Sequence, residues 1–175
     1  MTDISKIKIV ADSSCDLKEL SKVCFSFAPL KISTKEKEFV DDEKLDIKTM
    51  VEYLHAYKGK SSSSCPNTHD WLNAFGDAEN VYCVTITSNL SGSYNSAMLA
   101  KKQYEETYPD RKVLVLDSLS TGPEMALILE KIEELVLLGN SFEEISEIIK
   151  ALRLQGFLCR LMLLRLRELP QGASR

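Results

Sequence analysis

The chain has 175 residues, of which 44% are hydrophobic and 27% are charged, and its formal net charge is −4 at pH 7. This length is enough to bury a substantial core in one domain. The balanced charge, with 7 Gly and 5 Pro, excludes collagen-like and disordered chains. The mildly acidic total argues against nucleic acid as the main partner, because phosphate binding requires a basic face.

Three short aliphatic runs, at residues 7–11, 81–86 and 113–116, predict buried strands. The last two are almost continuously apolar, which is typical of parallel strands covered on both faces. A fourth candidate strand runs from Cys24 to Ser33, and Pro29 within it favours a position near the edge of a sheet.

Five helical patterns lie between and after these runs. Four are predicted to begin behind polar or glycine caps, and the fifth is a strong apolar stripe from Met125 to Val136; the caps are Asp46, Asn67, Gly92 and Ser141. Strands that alternate with helices predict an α/β fold with a mostly parallel sheet flanked by helices.

Polar residues follow each predicted strand, at the edge where parallel sheets bind ligands. These segments are Asp12-Ser13-Ser14, Thr87-Ser88 and Asp117-Ser118, and the Ser61–Ser64 loop is expected on the same rim. The segment 87–96 is the most informative, because a strand, a turn with Gly92 and a helix N-terminus suit a carboxylate or phosphate. No dinucleotide fingerprint, P-loop or nucleophile elbow is present. The residues alone predict an anion-accepting pocket of modest specificity, although turn formation and helix capping also explain each position singly.

The five cysteines include no Cys-x-x-Cys pair, so reduced structural thiols are favoured over a metal or redox site. His55 and His69 are assigned structural or solvated roles. The N-terminal residues lack the apolar stretch of a secretory signal, and no run reaches the roughly 18 apolar residues of a membrane helix. We therefore predict a cytoplasmic protein without a cofactor, a metal or a stable membrane insertion.

Four motifs resemble, in order and spacing, those of the DegV family of bacterial lipid-binding proteins. They are Ile9-Val-Ala-Asp-Ser-Ser-Cys-Asp-Leu17, Ser63-Ser-Cys-Pro66, Ile86-Thr-Ser-Asn-Leu-Ser-Gly-Ser-Tyr-Asn-Ser-Ala97 and Val115-Leu-Asp-Ser118. In the second motif, Ser63 replaces a threonine of the family pattern and Cys65 replaces a glutamine.

The resemblance implies a protein that is not itself an enzyme and encloses one long-chain fatty acid for presentation to a separate fatty-acid kinase. Carried over by position, Ser63 and Ser91 would contact the carboxylate, with Ser64 and Gly92 beside them in the same loops. Asn95 and Ser96 would support the carboxylate from the helix N-terminus. The rim would be lined or braced by Asp12, Ser13 and Ser118. The rival hypotheses are a hydrolase or phosphoryl-handling enzyme with Ser63 or Ser91 as nucleophile, and a truncated fragment without autonomous function.

Family members are substantially longer, with a second domain that nothing in this sequence matches. Residues 1–150 are predicted to form the lipid-binding domain and residues 151–175 an atypical tail with five Arg, eight Leu and no Lys. A frame change, truncation or chimeric end is one interpretation of the tail; a basic amphipathic helix and an ordinary divergent segment are the others. Self-association through the face that a second domain would cover is expected in the fragment hypothesis.

Overall fold

A computed structural model describes residues 3–154, so most of the predicted tail lies outside the described residues. This part of the chain contains seven strands and five α-helices. The strands are β1 (Ile7–Asp12), β2 (Cys24–Ala28), β3 (Lys31–Ser33), β4 (Glu38–Val40), β5 (Ser62–Ser64), β6 (Asn80–Thr85) and β7 (Lys112–Asp117). The helices are α1 (Ile47–Ala56), α2 (Thr68–Phe75), α3 (Ser93–Thr107), α4 (Pro123–Leu137) and α5 (Phe142–Leu154).

The main sheet has the strand order β2-β1-β6-β7, and every neighbouring pair in it is parallel. Helices cover both faces, and the side chains of each strand alternate between them. Ile9 and Val84 pack towards α4 and α5, whereas Val10 and Cys83 pack towards α2 and α3. The continuous apolar runs arise because both faces of these strands are buried. The predicted α/β fold with a mostly parallel sheet is therefore confirmed.

Helices α1, α2 and α5 begin at the predicted caps. Asp46 accepts a hydrogen bond from the Thr49 amide at the start of α1, and Asn67 forms a capping box with Asp70 at the start of α2. Ser141 and Glu144 bond reciprocally at the start of α5. Each cap satisfies backbone N–H groups that the first helical turn leaves without partners.

A second, small antiparallel sheet, with the order β4-β3-β5, was not predicted. The candidate strand from Cys24 to Ser33 divides at Pro29 into β2, at the edge of the main sheet, and β3, in the small sheet. The serine loop predicted at 61–64 instead contributes β5. Helix α1 packs beside the small sheet, with the rings of Tyr53 and Phe39 5.4 Å apart.

Candidate functional site

The carboxyl ends of β1 and β6 are joined by one buried carboxylate, that of Asp12. Its Oδ2 accepts hydrogen bonds from the amide of Ile86 at 2.8 Å and from the hydroxyl of Ser93 at 2.6 Å. Its Oδ1 accepts a bond from the hydroxyl of Ser14. Burial raises the pKa of Asp12, and these donors partly offset the effect. Asp12 thus braces three segments at the rim.

The carboxyl end of β7 is organised in a similar way by Asp117. This carboxylate accepts bonds from the Ser88 hydroxyl at 2.6 Å, the Ser88 amide at 3.2 Å and the Leu119 amide at 3.0 Å. The neighbouring hydroxyl of Ser118 bonds both the carbonyl and the amide of Ser120, each at 3.0 Å. Ser118 therefore closes a turn, and it is not among the residues that line the cavity described next.

A cavity of about 650 Å³ lies between the small sheet, α1 and the loop after β6. Four predicted ligand-binding residues line it together: Ser63, Ser64, Ser91 and Gly92. The rest of the wall is mostly apolar and comes from Leu30, Ile32, Phe39, Leu45, Ile47, Met50, Ile86 and Leu90. The cavity is amphipathic, with the serine loops forming its polar part.

The two serine loops meet at Gly92. A Cβ atom at this position would lie 3.3 Å from Cys65 Sγ, so glycine permits the close approach of the two loops. The Ser91 hydroxyl oxygen accepts a hydrogen bond from the Ser93 amide at 3.2 Å. Ser63, in β5, and Ser91, in the loop after β6, therefore belong to segments that approach closely at Cys65 and Gly92.

The remaining predicted residues are not among those that line the cavity. Ser13 accepts a hydrogen bond from the amide of Leu30 at 3.0 Å and so braces a residue of the wall. Asn95, which is exposed, and Ser96, which is half-buried, lie in the first turn of α3. A supporting role for these two residues stays a prediction.

Sequence reasoning missed most of the apolar wall and one cation. Ile32 and Phe39 belong to the unpredicted small sheet, in which β3 and β4 are joined by a short turn closed by a hydrogen bond from the Thr34 amide to the Lys37 carbonyl. Lys31 also lines the cavity, and its Nζ lies 3.3 Å from Asp70 Oδ2. Because this lysine is paired with Asp70, its charge at the wall is partly neutralised.

The contacts of Ser91 give no observation that favours a hydrolase. An attacking hydroxyl needs a base within hydrogen-bonding reach. Within residues 3–154, the hydrogen bond found for the Ser91 hydroxyl is the one from the Ser93 amide, and both histidines are exposed. In the same range, no group of three or more His, Cys, Asp or Glu side chains is arranged to hold a metal ion.

The helices and the cysteines of residues 3–154 bear on membrane insertion and on redox chemistry. None of the helices in the described part of the chain is long and apolar enough to cross a membrane. The four cysteines of that part, Cys15, Cys24, Cys65 and Cys83, are free thiols. Burial raises the pKa of Cys15 to about 11 and that of Cys83 well above its ordinary value.

A parallel α/β sheet with an amphipathic cavity beyond the carboxyl ends of its strands is the arrangement in which proteins of this fold class commonly bind small molecules. The family model for the DegV family, whose description is "uncharacterised protein", matches residues 6–174. The chain belongs to the DegV family, as its motifs predict.

Relatives in the family agree with this assignment. A DegV domain-containing protein of Streptococcus pneumoniae is 47% identical over 148 residues, which make up 82% of this chain and 53% of that protein. The chain therefore spans about half the length of the curated relatives that it matches.

Solved structures extend the comparison to proteins with bound ligands. A DegV family protein from Eubacterium eligens loaded with heptadecanoic acid has a TM-score of 0.82 and 48% identity, covering 84% of this chain and 53% of that one. The Fatty Acid Kinase B3 protein of Streptococcus pneumoniae loaded with linoleic acid has a TM-score of 0.81 and 46% identity, covering 85% and 54%.

Proposed function

We propose that this chain binds one long-chain fatty acid in the 650 Å³ cavity, with the carboxylate at the serine loops and the acyl chain along the apolar wall. The observation that carries the proposal is the composition of that wall, in which Ser63 and Ser91 stand beside Ile32, Phe39 and other apolar residues. The volume is within the range of about 300–1,000 Å³ that small-molecule sites occupy. The ligands in the related Eubacterium and Streptococcus structures support the same class of molecule.

The electrostatics of the cavity suit a carboxylate that is bound mainly by neutral donors. A buried carboxylate requires several hydrogen bonds in place of its water. The hydroxyls of Ser63, Ser64 and Ser91 lie at the polar wall, and Lys31 adds a cation that Asp70 partly neutralises. Such a site holds the anion without trapping it in a tight ion pair, which suits a protein that passes its ligand on.

The test is direct measurement of fatty-acid binding by the purified, delipidated chain. Palmitate labelled with ¹³C at the carboxyl carbon should give a bound resonance and a measurable Kd. We expect Ser63→Ala and Ser91→Ala each to weaken binding by about tenfold or more, because a hydrogen bond to a charged group contributes about 1.5–3 kcal/mol. Ser62→Ala is the matched control, since Ser62 is in the same strand but does not line the cavity. Absence of binding to the chain would contradict the proposal.

We further propose that the bound acid is presented to a separate fatty-acid kinase. In that reaction the carboxylate oxygen attacks the γ-phosphorus of ATP, the bond to the β-phosphate oxygen breaks, and ADP leaves as the acyl phosphate forms. The Streptococcus relative named for a fatty acid kinase supports this role. Mixing the loaded chain with a bacterial fatty-acid kinase and ATP should yield acyl hydroxamate after trapping with hydroxylamine. No product above the level with free palmitate alone would contradict it.

One side of the cavity is open. Ile47 and Leu90 line it and are nevertheless 62% and 72% exposed. Self-association through this face stays a prediction of the fragment hypothesis. Light scattering on the purified chain tests it, and a monomer at micromolar concentration would contradict it.

A further inference from the structure

Ser93 is fully buried and links the candidate carboxylate site to the sheet. It is the first residue of α3, directly after Gly92, and it makes two hydrogen bonds of different kinds. Its amide donates to Ser91 Oγ at 3.2 Å, and its hydroxyl donates to Asp12 Oδ2 at 2.6 Å. One residue therefore connects a cavity hydroxyl to a buried carboxylate.

The first of these bonds determines what the Ser91 hydroxyl can do. The first amides of a helix have no partner within the helix, and here the Ser93 amide is satisfied by the Ser91 oxygen. Because this oxygen accepts the bond, the hydroxyl hydrogen of Ser91 remains available for a second acceptor. Ser91 lines the cavity, so an acceptor in the cavity can receive it.

The second bond fixes where that amide lies. Asp12 is itself held by the Ile86 amide at 2.8 Å and by the Ser14 hydroxyl. The Ser93 hydroxyl is committed to Asp12 and does not compete for Ser91. The start of α3 is thereby anchored to the ends of β1 and β6, and the position of the Ser91 oxygen follows from this anchor.

We propose that Ser93, anchored by Asp12, is a positioning residue that holds Ser91 as a hydrogen-bond donor to the ligand carboxylate. The proposal rests on the proposed function, because it assigns a role within the same fatty-acid site. It predicts that Ser93 contributes to recognition of the acid group and not to binding of the acyl chain. A residue with a merely structural role would change the affinity for both groups alike.

Palmitic acid and hexadecanol distinguish these roles, because they share the acyl length and differ at the headgroup. The ratio of the Kd for hexadecanol to the Kd for palmitic acid reports the preference for the acid group. It is measured for the unmodified chain and for the variants Ser93→Ala, Ser93→Thr and Ser88→Ala. Ser88→Ala is the matched control, since it removes a hydroxyl-to-carboxylate bond of the same 2.6 Å length, to Asp117, outside the cavity lining.

We expect Ser93→Ala to weaken palmitate binding by about tenfold while hexadecanol binding changes by less than twofold. Ser93→Thr, which keeps the hydroxyl, should restore the preference for the acid, and Ser88→Ala should leave it unchanged. Equal weakening for both ligands, or no change for either, would overturn the proposal. If the unmodified chain bound neither ligand, the proposed function itself would fail.

A measurement on the unmodified chain covers the case in which Ser93→Ala does not fold. When the Ser91 hydroxyl donates to a carboxylate, its oxygen becomes a better acceptor, because linked hydrogen bonds polarise one another. The Ser93 amide proton should therefore shift downfield on binding palmitate and less on binding hexadecanol. Equal shifts with the two ligands would overturn the proposal.

Discussion

Ser63 of β5 lies directly opposite Ile32 of β3, and both residues line the cavity. On the other side of β3, Phe39 of β4 is also paired with Ile32 and lines the same space. Residues opposite one another in a sheet project from the same face. The row Phe39–Ile32–Ser63 therefore forms one wall that changes from apolar to polar across three strands.

This row predicts that Ile32 contributes to acyl-chain binding. Ile32→Ala should weaken palmitate binding roughly tenfold, because about 1–2 kcal/mol of apolar contact is lost. Val40→Ala is the control, since Val40 is the next residue after Phe39 and does not line the cavity. Titration with ¹³C-labelled palmitate measures both, and similar losses in the two variants would contradict the assignment of this wall.

Cys65 provides a second test, because its thiol lines the cavity beside Gly92. Iodoacetamide should modify Cys65 in the empty protein and do so several times more slowly when palmitate is bound. Cys24 is exposed on the edge strand and does not line the cavity, so its labelling should not change. Buried Cys15, whose pKa is raised to about 11 by burial, should react little in either state.

Peptide mapping by mass spectrometry measures the rate at each cysteine separately. Equal labelling of Cys65 with and without palmitate would place the ligand elsewhere. Slower labelling of both Cys65 and Cys24 would indicate a general loss of motion and would also contradict a local contact.

The parallel sheet could be predicted because its evidence is local. Residues 81–86 and 113–116 are almost continuously apolar, and Asp46, Asn67 and Ser141 are local capping signals. The position of Ser91 follows from the rule that parallel strands end at one edge, whereas Ser63, which lies in β5 of the small sheet, was linked to it by the family resemblance.

The small sheet could not be predicted from the same evidence. Its strands have three residues each, which is too short for an alternating pattern to be read, and β5 is composed of serines only. Its stability depends on pairing between residues about 30 positions apart. The apolar wall formed by Ile32 and Phe39 was missed for this reason, and so was the bracing bond from Ser93 to Asp12, which spans 81 positions.

Asp12 gives the protein a pH-dependent stability with a defined sign. Burial raises the pKa of Asp12 above its ordinary value of about 3.9. The folded protein therefore retains a proton that the unfolded chain has already lost. The contribution of Asp12 to the free energy of unfolding falls as the pH rises from about 4 through the raised pKa, and is constant above it.

Asp12→Asn removes the titrating group. The amide oxygen of the asparagine can still accept the hydrogen bonds from the Ser93 hydroxyl and the Ile86 amide. The stability of the variant relative to the unmodified chain should therefore increase as the pH is raised from 4 towards 7. Urea denaturation at several pH values measures the difference in the free energy of unfolding between the two proteins. The contributions of the other carboxyl groups cancel in this difference, because both proteins contain them. A difference that is constant with pH, or that falls, would contradict the prediction.

An added methyl group at Gly122 should destabilise the fold. Its φ is +48°, and a Cβ atom would lie 3.0 Å from Asp16 Oδ2, while its amide donates to the Ser14 carbonyl at 2.9 Å. Gly122→Ala should lower the free energy of unfolding by about 1–3 kcal/mol. Gly139→Ala is the matched control, because φ is +81° there and no atom lies within 4 Å of the added Cβ.

Gly139→Ala carries the cost of a positive φ without a contact, about 1 kcal/mol. Gly122→Ala should be the more damaging variant, because it adds the contact with Asp16 and because ψ is −118° there, outside the left-handed helical region. Asp16→Ala, measured alone and beside Gly122→Ala, removes the contacted carboxylate and should recover the part of the loss that the contact causes. The single variant accounts for the cost of alanine at Asp16, where φ is +57°. Thermal and urea denaturation measure all four variants, and fully additive losses for Gly122→Ala and Asp16→Ala would contradict a steric contribution from Asp16.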